Sequence, residues 1–209
     1  MGLSAVVSPL FAIQPVDWQP PDPAGFDAVL MTSANAVRFG GQELFRYFKL
    51  PLFAVGHATA QAALDTGFAK VIVGRGDGAA IVALAVARRK KRLLHLAGRE
   101  HMHIENGSAS IERRIVYASD PIEHLPGAAA DALQAGAVAL LHSARAARLF
   151  GSLVDAAGID RQRIAIAGLS EAVVAAAGAG WAAIATASLP NDDALLEIAA
   201  GLCDQSGTR

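Results

Sequence analysis

Short apolar runs alternate with helical runs along most of this chain, and the alternation occurs twice. From residue 28 the order is AVLM (28–31), the Ser/Asn-led run SANAVRFGGQELF, LFAV (52–55), HATAQAALDTG ending at Gly67, KVIV (70–73), a glycine loop with AAIVALAVARR (79–89), and RLLHLA (92–97). Apolar runs this short are buried strands rather than helices, and their alternation with helical segments predicts parallel β-α-β units. The pattern resumes with a helix near 126–135, then AVALL (137–141), SARAARLFGSLVDAAG, RIAIA (163–167), SEAVVAAAGAG, AAIATA (182–187) and DALLEIAAGLCD. DAVLMTSANAVRFGG (27–41) matches GAVALLHSARAARLFG (136–151). FAVGHATAQAALDTGFAKVIV likewise matches IAIAGLSEAVVAAAGAGWAAIAT, with Phe68 opposite Trp181. Two copies of one α/β module is the economical reading.

Two segments break the rhythm. Residues 5–16, AVVSPLFAIQPV, are apolar but interrupted by Pro9 and Pro15, which suits an edge strand or ribbon. The turn-rich WQPPDPAGFD follows. SIERRIVYASD (110–120) sets Ile111, Arg113, Ile115 and Tyr117 against Glu112, Arg114 and Val116, as a half-exposed strand would. The two segments are expected to pair. Residues 5–17 and 110–120 then form a linking β ribbon, with one α/β domain at 18–109 and a second at 121–209.

Composition narrows the function classes. With 53% hydrophobic and 18% charged residues the chain is not disordered. Only 6% is aromatic, which favours Ala-rich helices on Val/Ile strands over an aromatic-rich all-β fold. The net charge of -1 gives no global field for nucleic acid or an anionic membrane. The lone Cys203 cannot form an internal disulfide, so a cytoplasmic chain is the default. No apolar run reaches the ~18 residues of a membrane span. The start MGLSAVVSPLFAI lacks the basic segment of a signal peptide.

Several turns place hydroxyl or glycine residues where a strand hands over to a helix: Thr32-Ser33-Ala34-Asn35, Gly56-His57-Ala58-Thr59, His142-Ser143 and Gly168-Leu169-Ser170. In a parallel sheet these lie at the strands' carboxyl ends, where α/β proteins bind ligands and where backbone N–H groups accept anions. Singly, Ser33, Ser143 and Ser170 read as ordinary N-caps. As a set in both repeats they point to ligand binding. Arg99, after Gly98, either grips a carboxylate or phosphate through its planar fork or is a solvated loop residue. Tyr117 either covers the core or, beside a cleft, donates a proton.

Other motifs fail on spacing. Gly74-Arg75-Gly76-Asp77-Gly78 lacks the dinucleotide-binding pattern. Gly168-Leu169-Ser170-Glu171-Ala172 resembles a nucleophile elbow, but no histidine follows it, His142 being the last. His95, His101 and His103 match no metal-ligand spacing. There is no Walker A motif, basic-aromatic array or heptad pattern.

One ordered set of short segments is more specific. It runs Thr32-Ser33-Ala34-Asn35-Ala36-Val37, Val55-Gly56-His57-Ala58-Thr59-Ala60, Leu94-His95-Leu96-Ala97-Gly98-Arg99, Val116-Tyr117, Leu141-His142-Ser143-Ala144-Arg145-Ala146, Ser170-Glu171 and Pro190-Asn191-Asp192-Asp193-Ala194-Leu195-Leu196. Together these resemble the uroporphyrinogen-III synthase family. The resemblance implies two flavodoxin-like parallel-sheet domains joined by a two-stranded β ribbon, with the active site in the cleft between them. It implies a cofactor-free lyase of tetrapyrrole (haem) synthesis. Hydroxymethylbilane would lose its hydroxyl as water and close with inversion of ring D through a spiro intermediate. The eight carboxylates of that substrate suit helix N-termini, and preorganising a flexible molecule would supply most of the catalysis.

By the same resemblance Tyr117 is the candidate for assisting departure of the hydroxyl. Thr32, Ser33, Gly56, Thr59, Ser143 and Ser170 match cleft-lining positions, and Asn35, Gly98 and Arg99 lie in matching segments and join the expected binding set. No metal, nucleic acid or membrane is implied, and the family's usual state is a monomer. Relatives open with an Arg-Pro strand and an Ala-rich helix. Here Met1-Gly2-Leu3 falls near the end of that helix, a difference of ~25 residues. Residues 125–209 are therefore expected to lack a strand, and an unpaired edge invites association. The alternative is a relative that binds an anionic small molecule without turnover. A two-domain ligand receptor of the periplasmic type shares the architecture but would need a signal peptide.

Overall fold

The computed structural model describes residues 4–74, 76–101, 103–105 and 107–206, with the side chains of 205 and 206 left out. The expectations that involved Arg75 and Met1-Gly2-Leu3 lie outside these residues. The fold is mixed α/β with parallel sheets, and the chain divides into two compact units. One is Ala12–Asp120, and the other joins the segment up to Phe11 with everything from Pro121 onward.

The first unit is built on β1 (Phe11–Pro15), β2 (Ala28–Met31), α1 (Ala34–Phe39), β3 (Leu52–Ala54), α2 (His57–Thr66), β4 (Val71–Val73), α3 (Gly78–Ala87), β5 (Arg92–Gly98) and β6 (Ser110–Pro121). Its sheet has the order β1-β6-β5-β2-β3-β4. Strands β2 to β6 are parallel, and the order reverses between β2 and β5. All four residues of β2 are buried, because helices cover both sheet faces and a continuous apolar run satisfies both at once. Alternate residues feed two cores. Val29, Met31, Leu94 and Leu96 meet residues of α1 and α2. Ala28, Leu30, Phe53 and Leu93 meet residues of α3.

The run SANAVRFGGQELF is not one helix. It breaks at Gly40-Gly41 and continues as a 3-10 helix, Gln42–Tyr47. Gly41 has φ +71, and a Cβ on Gly40 would lie 2.7 Å from the Ala36 carbonyl oxygen. Glycine alone makes that turn without strain.

Residues 110–120 do more than pair with β1. They run alongside β5 from Arg92↔Ser110 to Gly98↔Tyr117, as a further parallel strand. The bonds Val16 N–H to Val116 O and Ile122 N–H to Leu10 O, each 3.0 Å, set β1 and β6 antiparallel. Within residues 5–16 only Phe11–Pro15 is strand, and Val7 is 89% exposed.

Asp27 ties the starts of β2 and β5 together. Its carboxylate accepts the Arg92 and Lys91 backbone N–H groups at 3.0 and 3.1 Å, and Arg92 Nε and Nη2 at 3.2 and 2.9 Å. These bonds, the Arg92 backbone N–H foremost, hold the carboxyl down at about 2. The contribution is present above the ordinary carboxylate value of about 4 and is lost as pH falls from there towards 2. Asp27→Asn is therefore expected to destabilise at pH 5, with the gap to wild type closing by pH 2. Urea titrations at the two pH values check this, and an equal gap at both contradicts it.

The second unit carries α4 (Gly127–Gln134), β7 (Val138–Leu141), α5 (Ala144–Ala156), β8 (Ala165–Gly168), α6 (Glu171–Ala176), β9 (Ala183–Thr186) and α7 (Asp192–Ser206). Its parallel sheet has the order β7-β8-β9. Leu133, Phe150, Ile166 and Val174 fill one core, and Ala165, Ala167, Leu195 and Leu202 the other. The aromatic repeat noted in the sequence is structural. Phe68 tilts against Phe48 with centroids 4.9 Å apart, and Trp181 stacks on Phe150 at 5.4 Å. Arg161 covers Trp181 at 4.5 Å while bonding Asp155 and the carbonyls of Ala177 and Ala179. β7 is an edge strand, and a cavity of about 930 Å3 runs beside it, lined in part by Leu10, Ala129, Leu133, Leu140, Leu196 and Cys203.

Candidate functional site

The parallel register of the six-stranded sheet brings three strand ends to one edge. Met31 pairs with Ala54 and with Leu96, so the turns beginning at Thr32 and Val55 emerge together, and β5 runs two residues beyond that level to Gly98 before its own turn. The order reverses between β2 and β5, and Thr32-Ser33 and Gly98-Arg99 flank that point. Such a switch point opens a crevice outside the strands' carboxyl ends.

Each turn is built differently. Ser33 caps α1, its Oγ accepting the Asn35 N–H at 3.2 Å, while Asn35 Oδ1 accepts from Arg38 at 3.4 Å. Gly56 starts α2 with nothing within 4 Å of where a Cβ would stand, which leaves backbone at the surface of the turn. Thr59 is buried in the first turn of α2. Arg99 Nη1 donates to Asp120 Oδ1 at 2.7 Å, with both side chains about half exposed. An exposed ion pair of this kind is worth at most about 1 kcal/mol, so it orients the guanidinium rather than burying it.

Tyr117 does not sit where strict alternation puts it. The sequence pattern groups it with Ile111, Arg113 and Ile115, opposite Val116. In the structure Val116 and Tyr117 pack against the same core, the one beneath α1 and α2. The pairing of β5 with β6 shifts between Ala97↔Ile115 and Gly98↔Tyr117, a β-bulge that skips Val116. A bulge adds one residue to one strand and re-aims the next side chain. The Tyr117 ring thereby reaches Gly98 and faces Phe39, with centroids 6.5 Å apart. The Arg99 N–H donates to the Tyr117 carbonyl at 2.9 Å, and His101 Nδ1 donates to the Gly98 carbonyl at 2.9 Å.

His95 lies in the interior of β5 with no exposure. Its Nδ1 accepts from Arg113 Nε at 3.2 Å, so the ring proton belongs on Nε2, which has no partner among the described residues. Burial foremost, then Arg113 and His101, push it down to about 3, and the ring is neutral.

The second unit presents its own carboxyl edge, where Leu141 pairs with Gly168 and Leu169 N–H donates to the Leu141 carbonyl. Ser143 Oγ caps α5 by accepting the Ala146 N–H at 3.2 Å, whereas the Ser170 side chain makes no capping bond to α6. His142 Nε2 stands 3.4 Å from Asp192 Oδ1, both exposed.

The residues expected from the sequence therefore fall into two sets. Thr32, Ser33, Asn35, Gly56, Thr59, Gly98, Arg99 and Tyr117 belong to the first unit, and Ser143 and Ser170 to the second. Sequence reasoning misses Phe39, His101 and Asp120, which hold Tyr117, Gly98 and Arg99. Asp120 is 21 positions from its partner, and nothing local marks the pair. Among the described residues no group of three or more His, Cys, Asp or Glu is placed to hold a metal ion, and no helix is long and apolar enough to cross a membrane.

A family model described as uroporphyrinogen-III synthase HemD matches residues 1–197. No curated protein matches the chain significantly. Among solved structures, the uroporphyrinogen-III synthetase of Helicobacter pylori is similar in fold, with a TM-score of 0.66 at 21% identity, over 92% of this chain and 91% of that one. A mutant uroporphyrinogen III synthase of the extremely thermophilic bacterium Thermus thermophilus matches at 16% identity and a TM-score of 0.47, over 97% of this chain and 91% of that one. With the family model spanning all but the last residues of the sequence, the chain belongs to the uroporphyrinogen-III synthase family.

Proposed function

We propose that the protein converts hydroxymethylbilane to uroporphyrinogen III without a cofactor, as a lyase of haem synthesis in the cytoplasm. The overall design is that of two flavodoxin-like halves joined by a β ribbon. The observation that carries the reading is the bulge that turns Tyr117 onto Gly98, beside the strand ends at the switch point. The Tyr117 phenol gives its proton to the departing hydroxyl, the C–O bond breaks, and water leaves. The methylene left behind is an electrophile that ring D attacks to form the spiro intermediate. Rearrangement inverts that ring, and the proton lost when the last pyrrole regains aromaticity restores the phenol. One molecule of water is released in all.

Binding falls to the turns. Backbone N–H groups at the starts of α2 and α5, with Thr32, Ser33, Asn35, Gly56, Thr59, Ser143 and Ser170, take carboxylates or line their path. Arg99 grips one carboxylate with the part of its fork that Asp120 leaves over. Arg99→Gln is expected to raise KM about tenfold with kcat within about twofold, the mark of uniform binding. Steady-state kinetics check this, and a fall in kcat at constant KM contradicts it. The working unit is a monomer, and any self-association arises at the β7 edge. Sedimentation at rising concentration measures it.

The proposal is tested by supplying enzymatically made hydroxymethylbilane and analysing the product isomers in the presence of a chelator. Isomer III is expected. Isomer I alone, at the rate of a protein-free control, would overturn the reading.

A further inference from the structure

Gly98 and the bulge at Val116 decide where the Tyr117 phenol sits. The Val116 side chain has no exposure and packs into the core beneath α1 and α2. Strict alternation would send the next side chain to the opposite face of the sheet. The skipped residue brings Tyr117 back to the face of Val116 and lays its ring across Gly98. A Cβ on Gly98 would stand 2.6 Å from Tyr117 Cζ and 2.8 Å from both Cε2 and Oη. No side chain fits in that space while the ring stays where it is.

Gly98 itself cannot retreat. Its carbonyl is held by His101, and the next residue, Arg99, bonds its backbone N–H to the Tyr117 carbonyl. The ring is the freer partner, so a methyl group at position 98 moves the phenol rather than the strand. Phe39 stands on another side of the ring, at 6.5 Å and tilted 35°.

We propose that Gly98 is a positioning residue, the seat that fixes the Tyr117 phenol for proton transfer, and not a group that binds substrate. This rests on the proposed cyclisation. A phenol displaced by about an ångström loses its alignment with the departing hydroxyl while substrate binding elsewhere is untouched.

The chain has two tyrosines, so biosynthetic 3-fluorotyrosine gives a simple fluorine NMR spectrum. Tyr47, buried and bonded to the Pro21 carbonyl at 2.7 Å, serves as internal control, and Tyr117→Phe assigns the other resonance. Gly98→Ala is expected to shift the Tyr117 resonance and leave that of Tyr47 in place. It is expected to lower kcat about as much as Tyr117→Phe, roughly a hundredfold, with KM within about twofold. Adding Gly98→Ala to Tyr117→Phe should cost less than about a further twofold, because the group through which Gly98 acts is already gone.

An unmoved Tyr117 resonance overturns the proposal, and so does a multiplicative loss in the double variant. If the wild type makes no isomer III the cyclisation reading fails, while the fluorine spectra still decide whether Gly98 seats the ring. Should Gly98→Ala fail to fold, Gly98→Ala/Tyr117→Leu removes the ring that collides. A folded double variant supports the seat, and two unfolded variants overturn it.

Discussion

Replacing Tyr117 with phenylalanine is expected to lower the turnover of hydroxymethylbilane about a hundredfold and to leave KM within about twofold. The substitution keeps the ring, and with it the packing against Phe39 and the core beneath α1 and α2, so the fold has no reason to change. It removes only the phenol proposed as proton donor. Hydroxyl is a poor leaving group, and without an acid in place its departure waits on solvent. Catalysis is not expected to vanish, because on the proposed reading the turns still hold the flexible chain of four pyrroles near its closed form. Steady-state kinetics with both proteins measure the effect. An unchanged rate removes Tyr117 from the mechanism and leaves preorganisation alone to account for catalysis.

The second large effect is on stability, and its source is His95. The neutral ring fits the interior because Nδ1 accepts from Arg113. A second proton would place a cation in the sheet beside that guanidinium, with His101 facing it across 6.3 Å. Unfolded, the same histidine takes its proton near pH 6.5. Below that value the unfolded state binds a proton the folded state refuses, so stability falls with pH. The contribution is whole above about 6.5 and is lost progressively towards 3, at about 1.4 kcal/mol per pH unit. Between pH 6.5 and 5 this amounts to about 2 kcal/mol, a large part of a typical domain's net stability. His95→Asn keeps an acceptor for Arg113 and cannot titrate. Urea unfolding of the variant should therefore lack this slope, and equal slopes for the two proteins contradict the assignment.

Legibility in the sequence follows burial. β2 is buried on both faces, so its four residues are continuously apolar and its limits match the run AVLM. β8, buried at all four positions, reads almost as well, while the only partly buried β7 and β9 are legible from their apolar runs. The helix after β2 is shorter than its pattern suggests, because apolar residues continue past Gly40-Gly41. Leu44 and Tyr47 are indeed buried, but from a 3-10 helix that the glycine turn sets off. The ribbon strand is shorter than its segment for a similar reason, since Val6 and Val7 are β-branched yet exposed.

The site is legible where it follows from strand order and illegible where it depends on a single inserted residue. Hydroxyl and glycine turns after strands can be read directly, and Ser33 and Ser143 act as caps. The face of Tyr117 cannot be read, because a bulge changes the count by one and leaves no mark in composition. Its one trace is Gly98, whose missing side chain makes room for the ring. The partners that hold the site, Asp120 for Arg99 and Arg113 for His95, come from β6 to β5 and its end, a pairing that hydropathy does not report.

The most direct test is a single turnover with protein in excess over hydroxymethylbilane, quenched early and resolved into isomers. A catalyst that drives hydroxyl departure and inverts ring D gives uroporphyrinogen III as the main product, formed faster than the spontaneous ring closure. Uroporphyrinogen I alone, appearing at the rate seen without protein, would contradict the account.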